Sequence, residues 1–263
     1  MDLHLKDKRA LVCGASKGLG YAVARSLLEE GVRVVIAART GDVLDKAADS
    51  LKEETGVRPF PVAADLTRSE DRERLVELAQ KELGGVDILV ANAGGPPTGT
   101  FESFGQKHWQ LAIELALGSV THLTALLLPA MKEQRFGRIT QIVSIAGLEV
   151  LDGLILSHAS RPAVLGFAKA LAREVAPFNV LVNSICPGIF LTDRIRDIAR
   201  QQADQRGITG DQFLKEFSGD IPVGRPGDPR ELGDLAAFLS SPRNTYITGA
   251  AVTIDGGKTR RLY

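Results

Sequence analysis

The sequence predicts a single-domain α/β fold: a seven-stranded, doubly wound parallel sheet with helices on both faces. Seven short runs rich in Val, Ile and Leu, at 9–13, 33–37, 58–64, 86–91, 138–143, 180–185 and 251–254, are apolar on both faces, as strands covered by helices on either side must be. Longer segments of helical period separate them, at 20–30, 42–54, 69–83, 106–134, 157–176 and 230–239. In the third of these, Leu75, Leu78, Ala79 and Leu83 recur three and four apart. A glycine-rich turn joins the first strand to the first helix, where a doubly wound sheet places its ligand crevice. The repeating strand–helix order implies right-handed crossovers.

The first strand runs straight into Gly14-Ala15-Ser16-Lys17-Gly18-Leu19-Gly20. Glycines at such a turn let the backbone approach a pyrophosphate and leave helix N–H groups free to bind it. The G-x-x-x-G-x-G spacing departs from the G-x-G-x-x-G of the larger dinucleotide dehydrogenases. The second strand ends in Ala37-Ala38-Arg39-Thr40, without an acid. Asp65-Leu66 follows the third strand, Asn92-Ala93-Gly94 the fourth and Ser144 the fifth. The helical segment 157–176 opens with Ser157-His158-Ala159-Ser160-Arg161. Pro187-Gly188 and Thr192 follow the sixth strand and lead into a polar, weakly periodic stretch, 192–220. That stretch reads either as a helical flap beside a ligand cleft or as a solvated insertion. Ile247-Thr248-Gly249 and Asp255-Gly256-Gly257 bracket the last strand.

The 263 residues carry 32 Lys and Arg against 32 Asp and Glu, so there is no basic field to attract nucleic acid or acidic lipid. A chain of this length can bury most of its apolar surface in one core. No Pro-, Gly- or Ser-rich linker divides it, and residues 1–263 read as one domain. Cys13 and Cys186 cannot form a disulfide framework and suit a reducing compartment, as small apolar fillers of packed strand ends. Residues 1–9 are charged and hold no signal-peptide core. The most apolar run, 123–131, is short and contains Pro129, against the ~20 residues a membrane helix needs. A cytoplasmic protein without membrane or nucleic-acid partners is the expectation. His4, His108, His122 and Trp109 show no metal-ligand spacing, so no metal site is expected.

In their order along the chain these motifs resemble the short-chain dehydrogenase/reductase family, nearest its 3-oxoacyl-acyl-carrier-protein reductase type, over almost the whole length. The resemblance implies a Rossmann fold and a role for each position. Gly14, Ser16, Lys17, Gly18, Leu19 and Gly20 form the pyrophosphate turn. Asp65 with Leu66 faces the adenine, Asn92-Ala93-Gly94 lines the adenosine ribose, and Pro187, Gly188 and Thr192 hold the nicotinamide end. Two bracing side chains differ from the family pattern: the usual Thr before Gly14 is Cys13, and the usual Asn before Asn92 is Ala91. The family also implies a homotetramer built through segments 106–134 and 157–176 and the last strand. Cofactor choice has its own physical argument. An acid ending the second strand would bind the ribose hydroxyls of NAD and repel a 2′-phosphate. Arg39, followed by Thr40, stands there instead, and Lys17 reaches toward the same group, which predicts NADP(H).

The resemblance fails at the catalytic positions. The family's reductases use Asn, Ser, Tyr and Lys: Tyr protonates the substrate oxygen, Lys lowers the Tyr pKa and holds the ribose, Ser polarises the carbonyl, and Asn anchors a water relay. Ser144 keeps the Ser position. The Tyr-x-x-x-Lys pair falls on Ser157 and Arg161, a register fixed by Phe167-Ala168-Lys169-Ala170-Leu171-Ala172-Arg173-Glu174, and the Asn position is Ala116. An aliphatic hydroxyl is a far weaker acid than a phenol of pKa about 10, and losing a positioned general acid costs on the order of 10²–10⁴ in rate. Arg161 keeps the charge one turn from Ser157 and the place beside the ribose, but it cannot relay a proton because it never deprotonates. Tyr21, Tyr246 and Tyr263 lie away from the site by position. His158 is the alternative acid, since histidine titrates nearest neutral pH, although one residue along a helix turns it by about 100° from Ser157.

Two function classes follow. One is an NADP(H)-dependent oxidoreductase with a non-standard acid, acting on a carbonyl or alcohol of a small molecule or acyl thioester. The other is a catalytically silent NADP(H)-binding sensor or subunit partner. A non-redox lyase or isomerase in the same cleft is a third reading. Segments 95–103 and 192–220 hold no decodable substrate pattern.

Overall fold

The computed structural model describes residues 1–262, the side chains of Arg194 and Ile198 excepted; Tyr263 lies outside the described residues. The strands are β1 (Arg9–Cys13), β2 (Arg33–Ala38), β3 (Phe60–Ala63), β4 (Ile88–Ala91), β5 (Gly137–Ile142), β6 (Val180–Pro187) and β7 (Ala251–Ile254). The helices are α1 (Gly18–Glu29), α2 (Gly41–Thr55), α3 (Ser69–Leu83), α4 (Gln106–Ile113), α5 (Ser119–Glu133), α6 (Ile155–Val175), α7 (Asp193–Arg206), α8 (Gly210–Phe217) and α9 (Pro229–Ser240). All strands pair in parallel, in the order β3-β2-β1-β4-β5-β6-β7. The winding direction reverses between β1 and β4, and a crevice opens at their carboxyl ends.

Doubly apolar strands divide their side chains between two cores. Ala10 and Val12 of β1 pack with Val23 and Leu27 of α1, Leu44 of α2 and Ala236 of α9. Leu11 and Cys13 point the other way, into a core with Leu75 of α3, Leu123 of α5 and Val164 of α6. Cys13 and Cys186 are both fully buried at strand ends, as their composition-level reading expects.

The sixth strand runs on through Pro187, which the sequence pattern places after it, and three further differences from that pattern have a visible physical cause. The third strand spans only 60–63 because Arg58 is drawn away to the Asp45 and Asp49 carboxylates of α2. The fourth begins at Ile88 because the Asp87 carboxylate takes the Arg9 backbone N–H and its guanidinium, at 3.0 and 2.6 Å. The segment 106–134 is not one regular helix: a π-helical turn, Glu114–Gly118, separates α4 from α5, with Glu114 paired to the buried Arg72 at 2.5 Å. Contrary to the reading of its apolar run as short, this segment is by length and composition long and apolar enough to cross a membrane. Here Ala116, Val120, Leu123, Leu127 and Met131 form a stripe that packs on the sheet, the pattern of a core helix. The polar stretch 192–220 forms α7 and α8, packed on each other, with Thr209 capping α8 through the Gln212 N–H.

Candidate active site

The glycine turn is shaped by close approach. Gly14 and Gly18 have φ of +60° and +63°, values that suit glycine. A Cβ at Gly14 would lie 2.7 Å from the Asn92 side-chain nitrogen, and the Asn92 amide donates to the Gly14 carbonyl at 3.3 Å. Gly20, in the first turn of α1, packs against the same pair; a Cβ there would meet the Gly14 carbonyl and come within 2.8 Å of Asn92 Nδ2. No side chain caps the start of α1 at Lys17, so its first N–H groups point unpaired into the crevice.

A cleft of about 700 Å³ opens over this turn. Gly14, Ser16, Lys17, Gly18, Leu19, Arg39, Thr40, Asp65, Leu66, Asn92, Ala93, Gly94 and Thr192 all line it. Lys17 and Arg39 are exposed, and among the described residues no carboxylate pairs with either. Asp65 accepts from the Thr67 N–H and hydroxyl at 3.0 and 2.8 Å, which fixes the turn after β3. Gly20 is buried behind the cleft wall, and Pro187 and Gly188 do not line it; Gly188 packs on Asp255 instead. Sequence reading missed the apolar walls Val43, Pro96, Pro97, Leu111 and Leu115, together with His108. Helical period alone places Leu111 and Leu115 in a helix, but only the fold shows that α4 and the π-helical turn after it overhang the crevice. A second cavity of about 790 Å³ lies between α1 and α9, and its Arg25, Arg225 and Arg230 are each paired with Glu29, Glu54, Glu231 or Asp234.

The residues expected at the family's catalytic positions lie after β5, on α6 and in the π-helical turn, outside the walls of the main cleft. Ser144 follows β5, and its oxygen accepts from the Ala146 N–H at 3.0 Å, leaving the hydroxyl proton uncommitted. Ser157 and Arg161 stand one turn apart on α6, 8% and 7% exposed. Arg161 Nη1 donates to the Ile142 carbonyl at 3.2 Å, its Nε has no partner, and burial lowers its pKa. Ala116 sits in the π-helical turn, buried, with only a methyl group to offer, and α6 packs against that turn. His158 has both ring nitrogens engaged: Nδ1 with the Ala146 carbonyl at 2.7 Å, and Nε2 with the Leu151 N–H and carbonyl at 2.8 Å. The ring ties the start of α6 to the loop after β5. Tyr21 donates to Glu54 at 2.7 Å and Tyr246 is 98% exposed, so neither reaches this end.

The sequence profile described as "Enoyl-(Acyl carrier protein) reductase" matches residues 14–259. The chain is 34% identical to D-beta-hydroxybutyrate dehydrogenase of Cupriavidus necator, covering 96% of this chain and 98% of that one. It is also 34% identical to the 3-oxoacyl-[acyl-carrier-protein] reductase FabG of Vibrio cholerae, over 97% and 98%. Among solved structures, L-sorbose reductase of Gluconobacter frateurii, complexed with NADPH and L-sorbose, superposes with a TM-score of 0.95 at 34% identity over the whole of both chains. An NADPH-bound short-chain oxidoreductase of Pseudomonas aeruginosa, described as containing an atypical catalytic center, gives a TM-score of 0.88 at 29% identity over 97% and 98%. With its sheet order, glycine turn and full-length similarity, the chain belongs to the short-chain dehydrogenase/reductase family.

Proposed function

We propose that the protein is an NADP(H)-dependent oxidoreductase that acts on a carbonyl or alcohol substrate through a non-standard active site. The observation that carries the cofactor is the pair of exposed cations, Lys17 and Arg39, which meet no carboxylate among the described residues, beside the uncapped first turn of α1. These residues fit a dinucleotide with a 2′-phosphate: the turn N–H groups take the pyrophosphate and Arg39 with Lys17 takes the added charge. Leu66, Ala93 and Leu115 supply apolar walls for the adenine. NADPH, when bound, supplies the hydride.

The chain's own residues then have the following parts. Ser144 donates a hydrogen bond from its free hydroxyl to the substrate carbonyl oxygen and so polarises it, keeping its own proton. Arg161, buried one turn along α6 from Ser157, contributes fixed positive charge to this end of the site, but no proton. Ser157 offers a weak hydroxyl acid where the family has a phenol, so slow proton delivery limits turnover. His158 holds the loop that carries Ser144 through its bonds to Ala146 and Leu151. A silent NADP(H)-binding protein is the second reading, favoured by one observation: Ser157, Arg161 and Ala116 are all buried outside the walls of the main cleft.

NADPH oxidation followed against 3-oxoacyl thioesters, diketones and oxo acids tests the first reading. Tight NADPH binding without turnover on any of them establishes the second. The half-exposed Ile113 of α4 supports assembly into a tetramer through α4, α5, α6 and the last strand, β7. Sedimentation at micromolar concentration is expected to show it, and a monodisperse monomer would refute it.

A further inference from the structure

Three arginines are buried among the described residues, and a buried guanidinium is costly unless its charge and donors are met. Arg72 is met: it donates to the Glu114 carboxylate at 2.5 Å, the Leu66 carbonyl at 2.8 Å and His122 at 3.0 Å. Arg138 has no carboxylate but donates to the carbonyls of Gly137, Asn179, Ser241 and Asn244 and lies over the Phe136 ring. Arg161 has neither arrangement. It makes one bond, to Ile142, its Nε is unpartnered, and among the described residues no carboxylate lies within 4 Å.

A second unpaired guanidinium flanks the same place. Ile142 of β5 pairs with Ile185 of β6, and the next β6 residue, Cys186, pairs with Thr253 of β7. Parallel partners share a sheet face, so the Thr253 and Cys186 side chains lie on the face that α6 covers. Arg261, in the tail after β7, donates to the Thr253 hydroxyl at 3.2 Å. Among the described residues it too meets no carboxylate; the nearby Glu149 is engaged by the Arg260 N–H at 3.3 Å. Cys186 stands between the two arginines but supplies no counter-charge, because burial pushes its thiol up to about 11 despite both cations.

We propose that Arg161 and Arg261 hold the carboxylate of the substrate, a small oxo or hydroxy acid whose reacting carbon lies at Ser144. Ser144 is two residues past the Ile142 carbonyl that Arg161 grips. Ribose hydroxyls would occupy donors of Arg161 and leave its charge unmet, whereas a carboxylate meets both. The phosphates of a dinucleotide belong at the glycine turn and Arg39, at the other end of the strand ends, so the anion comes from the second ligand. The inference names the substrate class of the site proposed above and rests on that orientation of the cofactor.

Calorimetry with acetoacetate and 2-oxobutyrate, each against its methyl ester, tests it in the presence and absence of NADPH. Wild type is expected to bind the acids at least about tenfold more tightly than the esters, a charge-assisted bond's share of affinity. Arg161→Met and Arg261→Met are each expected to abolish that ratio, which general weakening of the site does not move. Arg161→Lys keeps the charge and is expected to retain part of it. Equal binding of acids and esters by wild type, or an unchanged ratio in Arg261→Met, overturns the proposal. Should Arg161→Met fail to fold, Arg261→Met in the partly exposed tail still decides the matter. An acid preference without NADPH binding would remove the oxidoreductase reading and leave the anion site standing; NADPH binding with no acid preference would do the reverse.

Discussion

The Asn92 side-chain amide reaches across from the end of β4 to the Gly14 carbonyl, 3.3 Å away, and so braces the glycine turn at the end of β1. The neighbouring Cys13 and Ala91 are buried and have no side-chain hydrogen bond to add to it. Asn92 therefore extends the β1–β4 pairing past the strand ends by one side-chain bond that holds the glycine turn.

Gly20→Ala tests that link. The new methyl would press on the Gly14 carbonyl, which is backbone and cannot swing aside, and approach Asn92 Nδ2 to 2.8 Å. Overpacking of this kind costs about 1–3 kcal/mol. The variant is expected to melt several degrees lower and to bind NADPH at least about tenfold more weakly, measured by thermal denaturation and fluorescence titration.

Arg39→Ala separates charge recognition from cradle geometry. A hydrogen bond to a charged group contributes about 1.5–3 kcal/mol, so the preference for NADPH over NADH is expected to fall by roughly tenfold or more. NADH affinity should change little if Arg39, an exposed cation on the cleft wall, meets only the added phosphate. Identical losses for both cofactors would show that Arg39 shapes the pocket rather than reading the 2′ position.

Both cysteines predict a pH effect with a definite sign. Burial pushes the Cys13 thiol up to about 12 and the Cys186 thiol up to about 11. The folded protein thus holds these protons more strongly than the unfolded chain does. Their contribution to stability is complete below the ordinary thiol range and is lost as pH rises toward 11–12. Urea midpoints at pH 8 and pH 10 are expected to fall further in wild type than in a Cys13→Ala, Cys186→Ala double variant. At pH 8 a thiol reagent should label neither residue until the protein unfolds.

Much of this was legible in the chain because the signals are local. Doubly apolar runs such as 180–185 give a buried parallel strand, and the spacing of Gly14, Gly18 and Gly20 gives a turn that only close backbone approach explains. What escaped the sequence depends on distant partners. Arg58 is drawn from its strand to carboxylates on α2, and Leu111 and Leu115 are cleft walls only because α4 and the π-helical turn overhang the crevice. His158 looked like a free acid on chemistry alone; its three backbone contacts arise from the fold of the 145–151 loop. The isolation of Arg161 is likewise invisible in sequence, since it is defined by which carboxylates do not come near.

The last prediction concerns Ser157, Arg161 and Ala116 together. Ser157→Tyr with Arg161→Lys puts a phenol and an ammonium one turn apart on the same face of α6. Ala116→Asn adds an amide in the π-helical turn against which α6 packs. If the missing groups alone limit a family-like site, 3-oxoacyl thioester reduction in the triple variant should exceed wild type by at least about tenfold, the lower part of a general acid's contribution. The opposing term is volume: Ser157 is 8% exposed and Ala116 5%, and packed sites resist added atoms at about 1–3 kcal/mol each. Turnover and melting temperature measured on the same preparations separate the two. Gain of turnover with a modest loss of stability is the expected outcome, accompanied by weaker binding of free acids as Arg161 is replaced. Stability lost without any gain would mean that the fold has closed around the smaller residues. Substantial wild-type turnover abolished in the variant would identify Ser157 and Arg161 as working parts of a different catalytic arrangement.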